Sequence, residues 1–381
     1  MPHSRRFILA GLSAVTLGAC QSGGAVSSVP RSASGGMRAV RNARFDAWVL
    51  GARKRMIARG LPANAVNRAF RDVGYLPGVV ERDRTQTEFV RSFEDYLAIA
   101  ASDARIAKGR AMLSKHASLL NRLEARYGVE KEVIVAVWGV ESRYGERRGD
   151  VPVMSALATL AFDGRRGRFF EGQMAAAIKI LARGDITPAR MVGSWAGAMG
   201  HTQFIPSSYL AYAVDFRGDG KADIWSDDPT DALASTAAYL SRSGWQRGQR
   251  WGEEITGRAP SGRGRVVKSA GDSGPVFEVY HNYAVLARYN NAQKYIIGVG
   301  HLSDRLVGRP ALRASFGPDE HGLTLEDRKA LQRGLTRAGF DTGEADGVLG
   351  KKTFAAIEAF QRARGLRVTG TPSKALLAML R

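Results

Sequence analysis

The sequence predicts a mainly α protein: a large helical domain broken by a small β excursion, followed by a small three-helix C-terminal module. Three observations carry this expectation. Phe89, Phe93, Tyr96 and Leu97 are spaced to share one helical face. The run 131–140 is apolar nearly all round, as in a helix buried at a domain centre. Near the C-terminus, Thr324-Leu325-Glu326-Asp327 has the form of a capping box that opens a helix.

At 381 residues the chain exceeds the usual size of one domain, and 44% hydrophobic content is ordinary for a globular protein. Its net charge of +20 points to a polyanionic partner or surface. No zinc-finger spacing, arginine-rich arm or RNA-binding aromatic motif is present, so no nucleic-acid partner is expected. The first residues read as an export signal, with a basic start (His3, Arg5, Arg6) and an apolar stretch 7–17 too short to span a bilayer. That stretch ends in Leu17-Gly18-Ala19-Cys20, which resembles the lipobox of bacterial lipoproteins. The alternative for Cys20, the single cysteine, is a buried or free thiol. Lipidation would anchor the chain to a membrane and leave no disulfide. Ser4-Arg5-Arg6 leaves Sec and twin-arginine export both open.

Residues 1–19 are therefore expected to be signal peptide and 20–40 a tether, with Gly and Ser abundant over 21–36. A folded domain over 41–308 follows, then a polar, Pro-containing linker 309–322 and the module 323–381. Within the large domain, 45–127 is mainly helical, and 131–140 continues the pattern of 119–126 across Gly128. Residues 151–184 and 228–243 also read as helices, Asp227 or Asp228 before Pro229 marking the start of the second. The β excursion covers 252–286, where short alternating segments include Val276, Val279 and 283–286. Helix resumes over 291–306. In the module, one helix runs to about Ala338 and a second spans 353–364 before Gly365. A third starts at Thr371-Pro372 with proline in its first position. Leu331-Gln332 and Phe360-Gln361, each followed by glycine, form an internal half-repeat.

Two segments carry the chemistry. Glu141 stands in Gly139-Val140-Glu141-Ser142-Arg143-Tyr144-Gly145, at the end of the apolar helix. It reads either as a solvated helix-end carboxylate or as one half-buried against Trp138 and Tyr144. In the second case desolvation would keep it protonated and able to act as an acid. The segment Ser194-Trp195-Ala196-Gly197-Ala198-Met199-Gly200 leads into His201-Thr202-Gln203-Phe204-Ile205-Pro206. Its small residues would let a ligand approach the backbone, with Ser194 and Gln203 as hydrogen-bonding groups; otherwise it is a tightly packed loop.

Together with Arg288-Tyr289-Asn290, these segments resemble the membrane-bound lytic transglycosylase B family over about 45–306. The LQ…G…DG…G…T…FQ…GL pattern of the last sixty residues resembles the peptidoglycan-binding module of the first type. The resemblance implies a lysozyme-like α+β catalytic domain that cuts the β-1,4 bond between N-acetylmuramic acid and N-acetylglucosamine in peptidoglycan. It places Glu141 as the catalytic acid/base. Ser194, Met199, Gln203, Tyr289 and Asn290 fall on substrate-contacting positions, and Arg165, Arg166 and Phe169 lie where the family presents basic and aromatic groups to the glycan. The two arginines read equally as a solvated pair, and Phe169 as a core residue.

An ordinary glycosidase needs two carboxylates. No obvious partner for Glu141 stands in these segments; Glu146 and Asp150 lie in a polar stretch and are expected to be exposed. A transglycosylase needs one carboxylate, because the substrate's own C6 hydroxyl is the nucleophile and a 1,6-anhydro ring is the product. Two alternatives stay open: a water-using muramidase, and a non-catalytic wall-binding lipoprotein. No cofactor is required, and neither a zinc motif nor a phosphate loop is present. The loop 215–223, with Asp215, Asp219, Gly220 and Asp223, resembles the start of an EF-hand, so a structural calcium is one reading. Arg217 stands where an oxygen ligand belongs and Ser226 where the bidentate Glu does, so a tight Asp-Gly turn is the preferred one. The expected protein is a monomer on the inner face of the outer membrane in the periplasm, Gln21 after Cys20 favouring outer-membrane sorting.

Overall fold

The computed structural model describes residues 37–85, 92–269, 274–314 and 316–380. The expected signal peptide, Cys20, most of the tether and Phe89 lie outside the described residues. In chain order the helices are α1 (Ala43–Ala58), α2 (Ala63–Ala69), α3 (Pro77–Thr85), α4 (Phe93–Ala100), α5 (Asp103–Lys115), α6 (Ala117–Tyr127) and α7 (Lys131–Ser142). Strand β1 (Val151–Pro152), helices α8 (Val153–Asp163) and α9 (Gly167–Arg183), strand β2 (Val192–Gly193), α10 (Pro206–Tyr212) and α11 (Thr230–Arg242) follow. Strands β3 (Gly252–Glu254), β4 (Arg265–Lys268) and β5 (Val276–Val279) precede α12 (His281–Tyr289), α13 (Gln293–Leu306), α14 (Leu325–Arg337), α15 (Lys351–Ala363) and α16 (Lys374–Met379). The chain divides into two compact units: Met1–Val90 with Met112–Arg247, and Arg91–Ala111 with Gly248–Arg381.

The first unit is built around α7. Ile134, Val135, Ala136 and Val137 are completely buried there, and the β-branched run is helical because burial on all sides outweighs local propensity. Helix α6 does not continue into α7: Gly128 takes a left-handed conformation (φ 66°) and stops it. Helix α7 packs against α6 and α11, and α8 packs along α9, which also meets α2 and α10. The two-residue strands β1 and β2 pair antiparallel, Val151 opposite Gly193, and so join the loop after α7 to the loop that starts at Gly193.

The second unit holds the β excursion, an antiparallel sheet of order β3-β5-β4. Residues 283–286, expected as strand, are helical within α12. Asn282, Tyr283, Val285 and Leu286 are buried together, a helical spacing that a short window does not separate from alternation. Helix α13 packs on α4 and α12.

The C-terminal three helices enclose Leu323, Leu331, Leu335, Ile357, Phe360 and Leu376. Their capping box is formed as expected, the Thr324 hydroxyl accepting from the Asp327 N–H and the Asp327 carboxylate from the Thr324 N–H. The third helix begins at Lys374 rather than at Pro372, because the Ser373 hydroxyl accepts from the Leu376 N–H at 3.1 Å and sets the start. The half-repeat has a physical reason. Gln332 Oε1 accepts from the Gly347 N–H at 2.7 Å, and Gln361 Oε1 accepts from the Thr369 and Gly370 N–H groups, each at 2.9 Å. Each buried glutamine thus pins the loop that follows its own helix.

The described residues of the stretch expected as a linker, 309–322, are irregular but held. Glu254 accepts from the Arg313 and Ala314 N–H groups, each at 2.8 Å. Arg328, 4% exposed, donates to Gly347 O, to Asp319 and to Glu94, the last at 2.5 Å. One buried guanidinium therefore fixes this stretch and the module onto α4, and the contacts group 248–308 with both. Glu94→Gln leaves that charge without its nearest partner and is expected to cost about 3 kcal/mol in urea unfolding, whereas the paired change Glu94→Leu with Arg328→Met restores most of it. Equal stability of wild type and Glu94→Gln would refute the latch.

Candidate functional site

Glu141 lies in the last turn of α7 and is 6% exposed, beside buried Trp138, Ser142 and Tyr144. The chain then turns sharply. Arg143 and Tyr144 have φ of 53° and 60°, conformations uncommon for residues with a side chain. Gly145 follows with φ 87°, and a Cβ there would lie 2.5 Å from the His201 ring, so only glycine fits the turn. The Trp138 and Tyr144 rings meet edge to face at 5.7 Å.

The second segment is tied directly to this turn. Ser142 Oγ donates to His201 O at 2.5 Å and accepts from the Gly145 N–H at 2.9 Å. Trp138 Nε1–H donates to His201 Nδ1 at 3.1 Å, and His201 Nε2 lies 2.7 Å from Ser226 O. These partners define a neutral imidazole with its proton on Nε2. Burial, with Arg148 adding to it, pushes the His201 pKa down to about 4. Arg148 donates to Trp225 O, Ser226 O and Asp227, and so fastens the stretch after the second segment to the loop after α7. His201 and Arg148 were not among the residues expected from sequence. The signal available was a lone histidine inside a run of small residues.

The expected substrate residues of this unit are held in different ways. Ser194 Oγ accepts from the Ala198 N–H at 3.1 Å, closing its own loop. Gln203, in a left-handed conformation (φ 53°), donates its amide to Gly200 O at 2.9 Å and to Arg148 O at 3.1 Å. Met199 is 0% exposed and its backbone pairs with Phe204, so its side chain supports the loop from inside. Arg165 is held by buried Asp83 through two bonds of 2.6 and 2.5 Å. Arg166 lies over the half-buried Phe169 ring at 4.4 Å. In the second unit, Tyr289 ends α12 and stacks on Tyr295, and buried Asn290 accepts from the Ala292 N–H at 3.0 Å.

Three carboxylates are buried in the first unit among the described residues: Asp83, Glu141 and Asp231. Asp83 is committed to Arg165. Asp231 accepts from the Phe216, Arg217 and Asp223 N–H groups and from Arg217 Nε. Glu146 is 52% exposed on its side chain and pairs with Arg143. Asp150 is exposed as well.

Asp215, Asp219 and Asp231 converge closely enough to hold a metal ion. The donor set does not suit calcium, however. Arg217 Nη2 lies 3.2 Å from Asp231 and 3.5 Å from Asp219, putting a fixed cation among the three carboxylates. The Asp215 oxygens already accept from the Gly218, Asp219 and Gly220 N–H groups, as in a tight Asx-type turn.

The profile of the Transglycosylase SLT domain matches residues 44–264 and 256–304, and that of a putative peptidoglycan binding domain matches 324–380. The chain is 40% identical over 156 residues to membrane-bound lytic murein transglycosylase B of Escherichia coli strain K12; that match spans 41% of this chain and 43% of the E. coli protein. The crystal structure of SltB3 from Pseudomonas aeruginosa in complex with NAG-NAM-pentapeptide is similar with a TM-score of 0.69 at 40% identity, covering 89% of this chain and 100% of that one. E. coli Slt35 in complex with calcium is similar with a TM-score of 0.60 at 26% identity, over 70% of this chain and 93% of that one. The chain belongs to the membrane-bound lytic murein transglycosylase B family, with a lysozyme-like catalytic domain and a peptidoglycan-binding module.

The buried His201 gives the fold a pH signature. Its pKa is depressed from 6.5 to about 4, so the unfolded chain binds the extra proton first. The resulting stability is complete above pH 6.5 and is lost as pH falls from there to about 4. The share of His201 is about 3 kcal/mol. His301, also depressed to about 4 by burial, acts in the same window. Thermal unfolding of His201→Gln should therefore show a shallower fall in Tm over this range than wild type; parallel curves would refute the assignment.

Proposed function

We propose that this chain cleaves the β-1,4 bond between N-acetylmuramic acid and N-acetylglucosamine in peptidoglycan with Glu141 as its one acid/base, leaving 1,6-anhydromuramyl ends. The observation that carries the reading is the setting of Glu141. It is a buried carboxylate at the junction of two loops locked by hydrogen bonds, while Asp83 and Asp231 are committed to arginines and Glu146 is exposed. Protonated Glu141 donates its proton to the glycosidic oxygen as that bond breaks, and positive charge develops at the anomeric carbon of the muramic acid. The carboxylate then takes the proton of the C6 hydroxyl of the same sugar. The hydroxyl oxygen attacks the anomeric carbon and closes the anhydro ring, so Glu141 is left protonated for the next cycle and no water is consumed.

In this reading Ser194, Gln203, Tyr289 and Asn290 contact substrate, Arg166 and Phe169 present a stacked cation and ring to the glycan, half-exposed Arg165 adds a second cation anchored by Asp83, and Met199 supports its loop from inside. Cys20 carries the lipid, and the protein works as a monomer in the periplasm on the inner face of the outer membrane. Among the described residues no helix is long and apolar enough to cross a membrane. The E. coli relative is described as membrane-bound. A lipid on Cys20 supplies the corresponding anchor here.

Digestion of purified sacculi followed by mass spectrometry of the muropeptides tests the reaction. The expected products are one water lighter than reducing ends, and Glu141→Gln is expected to lower the rate by about a thousandfold. Reducing ends would establish a water-using muramidase, and equal rates for wild type and variant would remove Glu141 from the mechanism.

The loop 215–223 is proposed to need no calcium, because Arg217 serves as its cation. Chelator and 1 mM calcium are expected to leave the wild-type Tm unchanged within about 1 °C. Arg217→Ser should cost about 3 kcal/mol and make stability calcium-dependent, since it frees three converging carboxylates. A wild-type Tm that falls on chelation would overturn this.

A further inference from the structure

The second unit contains a cavity of about 350 Å³ that plays no part in the chemistry derived above. It lies where α4, α5 and α13 meet Ala311, Leu312, Ala314, Phe316 and the start of α14, so the body and the C-terminal module both wall it. Its size is at the small end of ligand sites, suited to a few atoms of chain rather than to a glycan strand. One wall is apolar, with Leu97, Ile106, Leu312 and Phe316.

Polar groups line it as well. His301 and Arg305, one turn apart on α13, both line the cavity. His301 is 8% exposed and borders the cavity. Burial first, then the neighbouring Arg305 cation, keep this histidine neutral at physiological pH, so it presents one N–H donor and one acceptor. A ligand that enters the cavity can bond this ring. Arg305 uses Nη1 on Arg309 O and has further N–H donors. Of the other charges, Glu94 pairs with Arg328 and Lys329 with Glu326, and exposed Asp103 lines the cavity too.

A neutral N–H donor and a guanidinium one turn apart, in a cavity that also has apolar lining, match a carboxylate attached to small apolar groups. We propose that this cavity is a second binding site, which takes the terminal carboxylate of a peptide carried by the wall polymer, with His301 and Arg305 receiving the carboxylate and the apolar wall its side chains. The site rests on the wall-directed reading above but uses neither Glu141 nor its loops. Because the module forms part of the cavity, a peptide held there would also be held against the body through α14.

Calorimetric titration of the full chain with the wall pentapeptide freed of its sugars, and with the same peptide amidated at its C-terminus, tests the proposal. The free acid is expected to bind saturably, one per chain, and about tenfold or more tighter than the amide. Arg305→Gln should weaken the free acid by about tenfold and Ala98→Trp, which fills the cavity, should abolish binding. Both variants should cut peptide-free glycan at the wild-type rate. Equal binding of acid and amide, or undiminished binding by Ala98→Trp, overturns the site, and the acid–amide comparison needs no variant to fold. Loss of glycan cutting in Glu141→Gln with peptide binding retained separates the two readings. Cutting without peptide binding would sink this site alone.

Discussion

The His201 imidazole is the point on which the loops around Glu141 depend. It accepts from the Trp138 indole inside α7, faces the Ser226 carbonyl on its other side, and its own carbonyl receives the Ser142 hydroxyl. Three stretches far apart in sequence are joined through one buried, neutral ring. In a low-dielectric setting such bonds are firm only while every member is satisfied, so the ring's protonation state and the loops' shape are coupled. Glu141 is placed by this arrangement. It sits one residue before Ser142 and three after Trp138, both of which are held by His201, so its position is set by its neighbours.

The backbone around the site is strained in the same places. Arg143, Tyr144 and Gln203 take left-handed conformations that cost free energy and persist where surrounding bonds impose them. Gln203 is held by its amide bonds to Gly200 O and Arg148 O, and the turn at 143–145 by Ser142. A rigid carboxylate surround is what a single acid/base requires. In the mechanism proposed above, the same group meets the leaving oxygen and then the C6 hydroxyl, with no second carboxylate to share the work.

Arginine is the recurrent fixed cation in both units. Arg217 neutralises converging aspartates in the 215–231 loop, Arg165 neutralises buried Asp83, and Arg328 binds Glu94 and Asp319. In each case the rigid fork of donors satisfies carboxylates that burial would otherwise make costly. The strongly basic composition is therefore partly structural, and only the remainder is available to an anionic wall surface.

Much of this was legible in the sequence. The helical class followed from hydrophobic spacing, the α14 start from its capping box, and the family from residue types in order around Glu141 and Gln203, because these are local patterns that tertiary packing leaves intact. The α12 segment misled as strand because four residues cannot separate the two periods, and Pro372 yielded the helix start to the better hydroxyl cap of Ser373. Only the tertiary structure decided what depends on partners distant in the chain. It showed Glu141 buried rather than solvated, made His201 the hub of two loops, committed Arg165 to Asp83, and paired Arg217 with Asp219 and Asp231. Charge and hydrogen-bonding capacity are written in the sequence; which partner meets them is fixed only when the fold closes.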